Sequence, residues 1–467
     1  MSTTHFPSAV PCGTWPSEPA EYRLPVTRAR QALARGWLGL SLLALIVSGL
    51  FSVLLVAART PGVNELLPGG AFFHTALVVH VDMSVLVWFV AVAGMLWSLD
   101  ARRRGALGWP ALVAATAGTA MMALAPFVDP GTPVMANYIP VIESRLFLAG
   151  LAVFGIGAAF LVAQALCSAP RLAGALDGAA ALRFGLYAAA VSAAVALFAF
   201  ALSLVLVPAS LDGKAYWEVL FWSGGHALQF TWTLIMLVGW LWLAHACGAR
   251  VSLSARIALL LFAIALAAVF VTPYAYLAHD VLSLEHRALH TLGMRVGGGL
   301  AILPIGLAVA LALARQRRIV GDARPLRAAL LASIVLFAAG GLMGITIDGS
   351  NVKIPAHYHG CIVAVTLAMM GLVYHLLPRL GYGTPRGRLA VTQPFLYGFG
   401  QLMHIVGLVW SGGYGVQRKV AGTEQVLRSS GEVFGMGLMG LGGLIAIAGG
   451  LLFVVVVWRA RQQSEAQ

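Results

Sequence analysis

Stretches of twenty or more apolar residues, interrupted by short clusters of arginine, proline and glycine, run almost the whole length of this chain. A helix needs about 20 apolar residues to cross a bilayer, and a chain built of such runs must satisfy its backbone internally in lipid. The 467 residues are 60% hydrophobic and 10% charged, with a mean hydropathy of +0.87. That composition excludes a soluble globular domain. The expected fold class is all-α, a polytopic membrane bundle of twelve transmembrane helices. Spans are expected near 35–58, 71–99, 107–128, 134–166, 180–208, 217–247, 253–278, 287–314, 327–347, 356–378, 390–412 and 432–458.

The net charge of +13 comes mainly from arginine. Arg102–Arg104, Arg171, Arg250, Arg315–Arg318 and Arg379–Arg388 occupy alternate loops, along with basic residues near both ends. This is a topology signal, and no nucleic acid is expected as a partner. It puts both termini in the cytoplasm and loops such as "TPGVNELLPGG" and "DPGTP" on the periplasmic side of a bacterial inner membrane. Residues 1–34 read as a cytoplasmic tail, 35–459 as one catalytic membrane domain and 460–467 as a second tail. Cys12, Cys167, Cys247 and Cys361 are scattered, with no CxxC or CxxCH. Covalently attached haem, a zinc site and a disulfide framework are therefore excluded.

Ionisable groups inside spans are costly and mark function. On this topology His80, His226, His279, His357 and His359 fall at one depth, in the outer half of the membrane. His74, His245, His375 and His404 read instead as packing residues or residues at helix ends. In "KIPAHYHGCIVAV" His357 and His359 stand two positions apart, which on a helix separates their directions by about 200°. Such a pair can serve two flat metal macrocycles on opposite sides of one helix.

With these histidines the chain resembles the catalytic subunit of the haem–copper oxidase superfamily, which includes oxygen and nitric-oxide reductases. The resemblance implies two haems, one low-spin and one high-spin, taken as b-type, and a non-haem metal. It makes His80 and His359 the axial ligands of the low-spin haem and His357 the ligand of the high-spin haem. His226 and His279 become ligands of the non-haem metal, with Asp280 where the family has a second adjacent histidine. His286 or His290 is the alternative ligand to Asp280, and Glu285 a further oxygen donor. Arg418 and Lys419 in "GYGVQRKVAG" match the loop that holds haem propionates.

A carboxylate ligand favours iron over copper. Phe230 stands where many oxygen reductases carry a tyrosine, although Tyr274 or Tyr276 of span 7 could replace it. Span 8 has no lysine or hydroxyl ladder for protons from the cytoplasm, and nothing in span 3 continues from Asp100. Glu143, assigned to the outer half of span 4, is a candidate proton relay or an ion-pair partner of Arg145. These departures make nitric-oxide reduction the expected activity, with Asp280, Glu143 and Glu285 as candidate catalytic residues. Terminal oxygen reduction is the alternative; a haem sensor or assembly factor and a transporter are weaker ones. The expected partners are membrane lipid, NO or O2, and an electron source: a cupredoxin-like or cytochrome c subunit, or quinol.

Overall fold

In a computed structural model the described residues are 20–26, 31–64, 71–100, 105–170, 176–317, 319, 321–421 and 424–465. Arg102–Arg104, Arg171, Arg318, most of both tails and the side chain of Asp100 lie outside them. The chain forms an all-helical membrane bundle of twelve long helices: α1 (Gln31–Arg59), α2 (Phe72–Leu99), α3 (Gly108–Val128), α4 (Arg145–Leu166), α5 (Gly178–Leu206), α6 (Gly213–Ala246), α7 (Ala255–Ala278), α8 (Leu284–Arg315), α9 (Arg324–Ile345), α10 (Lys353–Leu376), α11 (Gly387–Gly413) and α12 (Ser430–Glu465). Eleven are long and apolar enough to cross a membrane. α11 is of similar length but carries Gln393, His404 and Ser411, all buried within the bundle.

Starts are set by local chemistry. Ser144, Asp177, Ser254 and Ser283 each accept a hydrogen bond from the backbone N–H three residues on, opening α4, α5, α7 and α8. Such caps satisfy amides that a helix start otherwise leaves without partners. The expected fourth span was too long. Residues Thr132–Val134 (β1) and Val141–Glu143 (β2) form an antiparallel hairpin, and the helix begins only at Arg145. Pro133 and Pro140 account for this: proline removes an amide donor and biases the preceding residue away from helix. Glu143 therefore lies in a strand and not in the outer half of a span.

Burial sorts the helices into an inner set and a lipid-facing set. The most apolar 18-residue stretch of α6 and of α10 is 83% buried and that of α2 is 72% buried, against 33–44% for the other eight candidate spans. A helix apolar all round belongs in the middle of such a bundle. The three inner helices are those that carry His80, His226, His357 and His359. α10 is held close to α9 by two facing glycines, where a Cβ on Gly340 would come within 2.7 Å of Cys361 N and 2.8 Å of Gly360 Cα. Close approach through small residues is the usual device when lipid supplies no hydrophobic drive.

Candidate metal and haem centre

Most of the imidazoles at the histidine end of the bundle are anchored in the same manner. His80 Nδ1 lies 3.1 Å from the Ser48 carbonyl, His357 Nδ1 2.8 Å from Gly340 O and His226 Nδ1 2.8 Å from Trp222 O. His290 Nδ1 is 2.8 Å from His286 O, His286 Nδ1 3.2 Å from Ala275 O and His404 Nδ1 3.0 Å from Met439 O. A carbonyl can only accept, so each Nδ1 carries the proton and donates it. Each Nε2 is left as the basic nitrogen, the arrangement that orients a histidine toward a metal.

The rings fall into two groups. His80, on α2, lies within electrostatic reach of His359 on α10, and the His359 ring stacks at an angle on His404 of α11, with centroids 5.0 Å apart. His357, two positions back on α10, faces α9, where Gly344 leaves room for it: a Cβ there would sit 2.7 Å from its Nδ1. His80, His357 and His359 stay partly uncovered, while Val79, Met83, Ala356 and Gly360 beside them are buried. Rings that are uncovered on the most buried helices border an internal space.

The second group is His226, His286 and His290. Ring centroids are 5.6 Å apart for His226–His290 and 4.8 Å for His286–His290. The Tyr138 hydroxyl lies 2.9 Å from His226 Nε2, and the Ser223 hydroxyl 2.8 Å from His286 Nε2. His290 Nε2 is buried without a hydrogen-bond partner among the described residues. A buried polar atom left alone costs about 1–3 kcal/mol. An all-imidazole set with one orphaned basic nitrogen suits a bound transition metal. As they stand, no three His, Cys, Asp or Glu side chains among the described residues close on an ion.

Other expected residues lie apart from this triplet. Asp280 is exposed in the turn after α7, and its Oδ1 accepts from Leu282 N at 2.8 Å. His279 ends α7 half-buried, within electrostatic reach of His286. Glu285 is exposed on the first turn of α8. Glu143 is exposed too, accepting from Trp217 Nε1 at 2.9 Å. Tyr276 packs edge-on to His286, but its hydroxyl is engaged by Ser203 at 2.6 Å. Tyr274 is exposed.

Three residues escape a reading of the sequence. Tyr138 sits between β1 and β2 with φ of 70°, and its ring packs where Gly225 has no side chain, a Cβ there meeting Tyr138 Cγ at 2.2 Å. A loop residue in a left-handed conformation gives no periodic signal. Burial, and the Glu218 carboxylate close by, push its phenol well above the ordinary tyrosine range. Asp82 is fully buried with neither carboxylate oxygen partnered, at the head of a π-helical turn (Asp82–Val87) just beyond His80. An acid inside a span and a π-turn both mark functional sites. Arg59 lies near Tyr358 and His359, on the side where Arg418 also reaches Tyr358. Lys419 donates to Met135 O at 2.6 Å, and burial lowers its pKa to about 8.

This is a polytopic bundle that gathers basic imidazole nitrogens in its interior, the signature of a membrane metalloprotein. The family model described as Cytochrome C and Quinol oxidase polypeptide I matches residues 32–461, and the chain belongs to that family, the haem–copper oxidase subunit I family. It is 28% identical over 494 residues to an uncharacterized protein of Rickettsia prowazekii, covering 91% of this chain and 95% of that one. It is 29% identical over 363 residues to an uncharacterized protein of Aquifex aeolicus, covering 77% and 88%. Among solved structures it is similar to a haem–copper terminal oxidase dimer studied by cryo-electron microscopy. The TM-score is 0.70 at 18% identity, over 93% of this chain and 84% of that one. Family membership makes this a membrane oxidoreductase and implies haems and a binuclear metal centre.

Proposed function

We propose that the chain is the catalytic subunit of a respiratory reductase in a bacterial inner membrane, turning two NO, two electrons and two protons into nitrous oxide and water. His80 and His359 would hold a low-spin haem, His357 a high-spin haem, and His226, His286 and His290 the non-haem metal. That triplet is preferred to His226, His279 and Asp280 because its members are buried together and Asp280 faces outward. With the carboxylate removed, the donor set accepts copper as well as iron. Bound, the metals and haems would supply electron transfer and bind the gas, while the protein fixes their spacing and excludes water. Arg59, Arg418 and Lys419 suit the propionates.

The observation that carries the NO reading is a polar line at the histidine end. Glu218 accepts from Asn137 Nδ2, its other oxygen is buried and unpartnered, and the adjacent Tyr138 hydroxyl donates to His226 Nε2. Glu218 can hold a proton at that free oxygen and Tyr138 can hand one toward the metal site, so protons enter from the periplasmic side. Energy-conserving oxygen reduction would draw them from the cytoplasm. A second reading, reduction of O2 to water with four electrons and four protons, is favoured by the three-imidazole set with a phenol beside it. Electrons would come from a partner subunit, a soluble cytochrome c or quinol.

Turnover on one haem-quantified preparation separates the two. NO consumption with stoichiometric nitrous oxide and little oxygen uptake is expected. Rapid oxygen uptake with negligible NO loss would reverse the assignment. Glu218→Gln is expected to slow NO turnover about 10–100-fold with haem content unchanged.

A further inference from the structure

At the basic end of the bundle, away from the histidines of the candidate metal and haem centre, a cavity of about 250 Å³ opens between the loop before α11 and the last turns of α12. Arg386, Arg388 and Arg459 line it together with Thr384 and Gln463, and no acidic side chain does. Its walls are fixed. Gly383 N donates to Ala460 O at 2.7 Å, stitching the loop to α12, and a Cβ on Gly383 would meet Gln463 Oε1 at 2.5 Å. Arg386 is held 3.0 Å from Asp322. Arg388 and Arg459 have no ion-pair or hydrogen-bond partner among the described residues.

Two guanidinium groups from different helices, both without an ion-pair partner among the described residues, line one space. The first turn of α11, in the wall of the cavity, adds amides that no side chain caps. Guanidinium forks match the oxygens of a phosphate in geometry and charge. The surface running away from the cavity is apolar: Leu389 is 39% exposed, Trp458 58% and Leu451 65%. Polar cradle and apolar apron together have the layout of a headgroup site, with an aromatic ring at the level where tryptophan favours the membrane boundary.

We propose that this cavity binds a phosphate-bearing anion, in the first instance the headgroup of an anionic phospholipid, through Arg388 and Arg459. The shared chemistry is the phosphate, and a free phosphate from the aqueous phase is the other source. The test uses the detergent-purified holoenzyme and native mass spectrometry with phosphatidylglycerol, phosphatidylcholine or inorganic phosphate. The expected result is selective retention of phosphatidylglycerol, cut about tenfold in an Arg388→Gln/Arg459→Gln variant. Arg256→Gln, an exposed arginine outside the cavity on the same face, should leave retention unchanged. The haem spectrum shows whether the double variant is folded, and Arg388→Lys/Arg459→Lys should restore part of the retention. If inorganic phosphate, and no lipid, binds the wild type and is lost in the double variant, the source is the free anion and the site stands. Equal retention of both lipids with no phosphate binding overturns the proposal. So does a loss in Arg256→Gln as large as in the double variant.

Discussion

The two ends of this bundle are built on opposite rules. At the basic end, several polar groups are spent on one another, although Ser98, Gln164 and Trp242 hold buried polar atoms without a hydrogen-bond partner among the described residues. The Tyr22 hydroxyl donates to Leu253 O at 2.8 Å, Gln31 and Arg35 donate to the carbonyls of Arg379 and Leu380, and the Tyr374 hydroxyl reaches Gln393 at 3.0 Å. At the histidine end, one nitrogen of each anchored ring is tied to a carbonyl and the other is left basic, accepting from Tyr138 in His226 and from Ser223 in His286. Asp82 and His290 hold buried polar atoms with no partner at all. What sets the histidine end apart is the kind of group left over: the buried unpartnered atoms of Asp82, Glu218 and His290 can bind a proton or a metal. Polar atoms left alone in an interior are costly, and the fold tolerates that cost on α2 and on α8 beside α6.

The comparison can be broken by exchanging a ligand. His80→Ala or His359→Ala is expected to remove the low-spin haem and to lower turnover by on the order of 1,000-fold or more, read from the reduced-minus-oxidised spectrum and the gas electrode. Retention of a full low-spin signal would show that these rings are ordinary packing. Next in size is Gly344→Ala. The added methyl presses on the His357 ring from 2.7 Å, and high-spin haem binding and turnover should fall about 10–100-fold while the helical content is kept.

Much of this was legible from the chain. The spans follow from apolar runs, and the HxH pair in α10 stands out because charge-bearing rings are rare in lipid. The triplet of His226, His286 and His290, proposed here as the metal site, is less legible. His279 and Asp280 are adjacent and match the family's paired position, whereas His286 and His290 are four positions apart, which puts them on one face of a helix. That spacing was the available signal, and it depends on α8 starting at Leu284. Tyr138, and the placement of Glu143 in a strand, are hidden for another reason. Both lie in a hairpin whose geometry is set by prolines and one left-handed residue, and none of these leaves a periodic trace. Asp82 is legible as an acid inside a span, two residues beyond His80.

Smaller effects sharpen the contrast. Tyr138→Phe removes the hydroxyl from His226 and should lower turnover about 10–100-fold with both haems bound. At the basic end, Tyr374→Phe should leave haem content and turnover intact and cost only about 1 kcal/mol of stability by denaturant unfolding. If the second change harmed turnover as much as the first, the two ends would not be divided as described.

The smallest expected effect is a pH dependence. Burial holds Lys419 at about 8 in the folded protein, against 10.5 ordinarily. Between those values the unfolded chain binds the additional proton, so this residue makes stability rise with pH across that window. Below about 8 the folded state carries a partly buried ammonium and the contribution is unfavourable. In haem-free protein Lys419→Met should flatten that slope in thermal unfolding. Bound haem should restore the charge, because a propionate would pair with it.

The most direct test of the central claim is a density map of the haem-loaded protein. The account predicts the Nε2 atoms of His80 and His359 on opposite faces of one iron, that of His357 on a second, and those of His226, His286 and His290 around a third metal. Finding these Nε2 atoms in contact only with protein or lipid, with no metal within bonding distance, would contradict it.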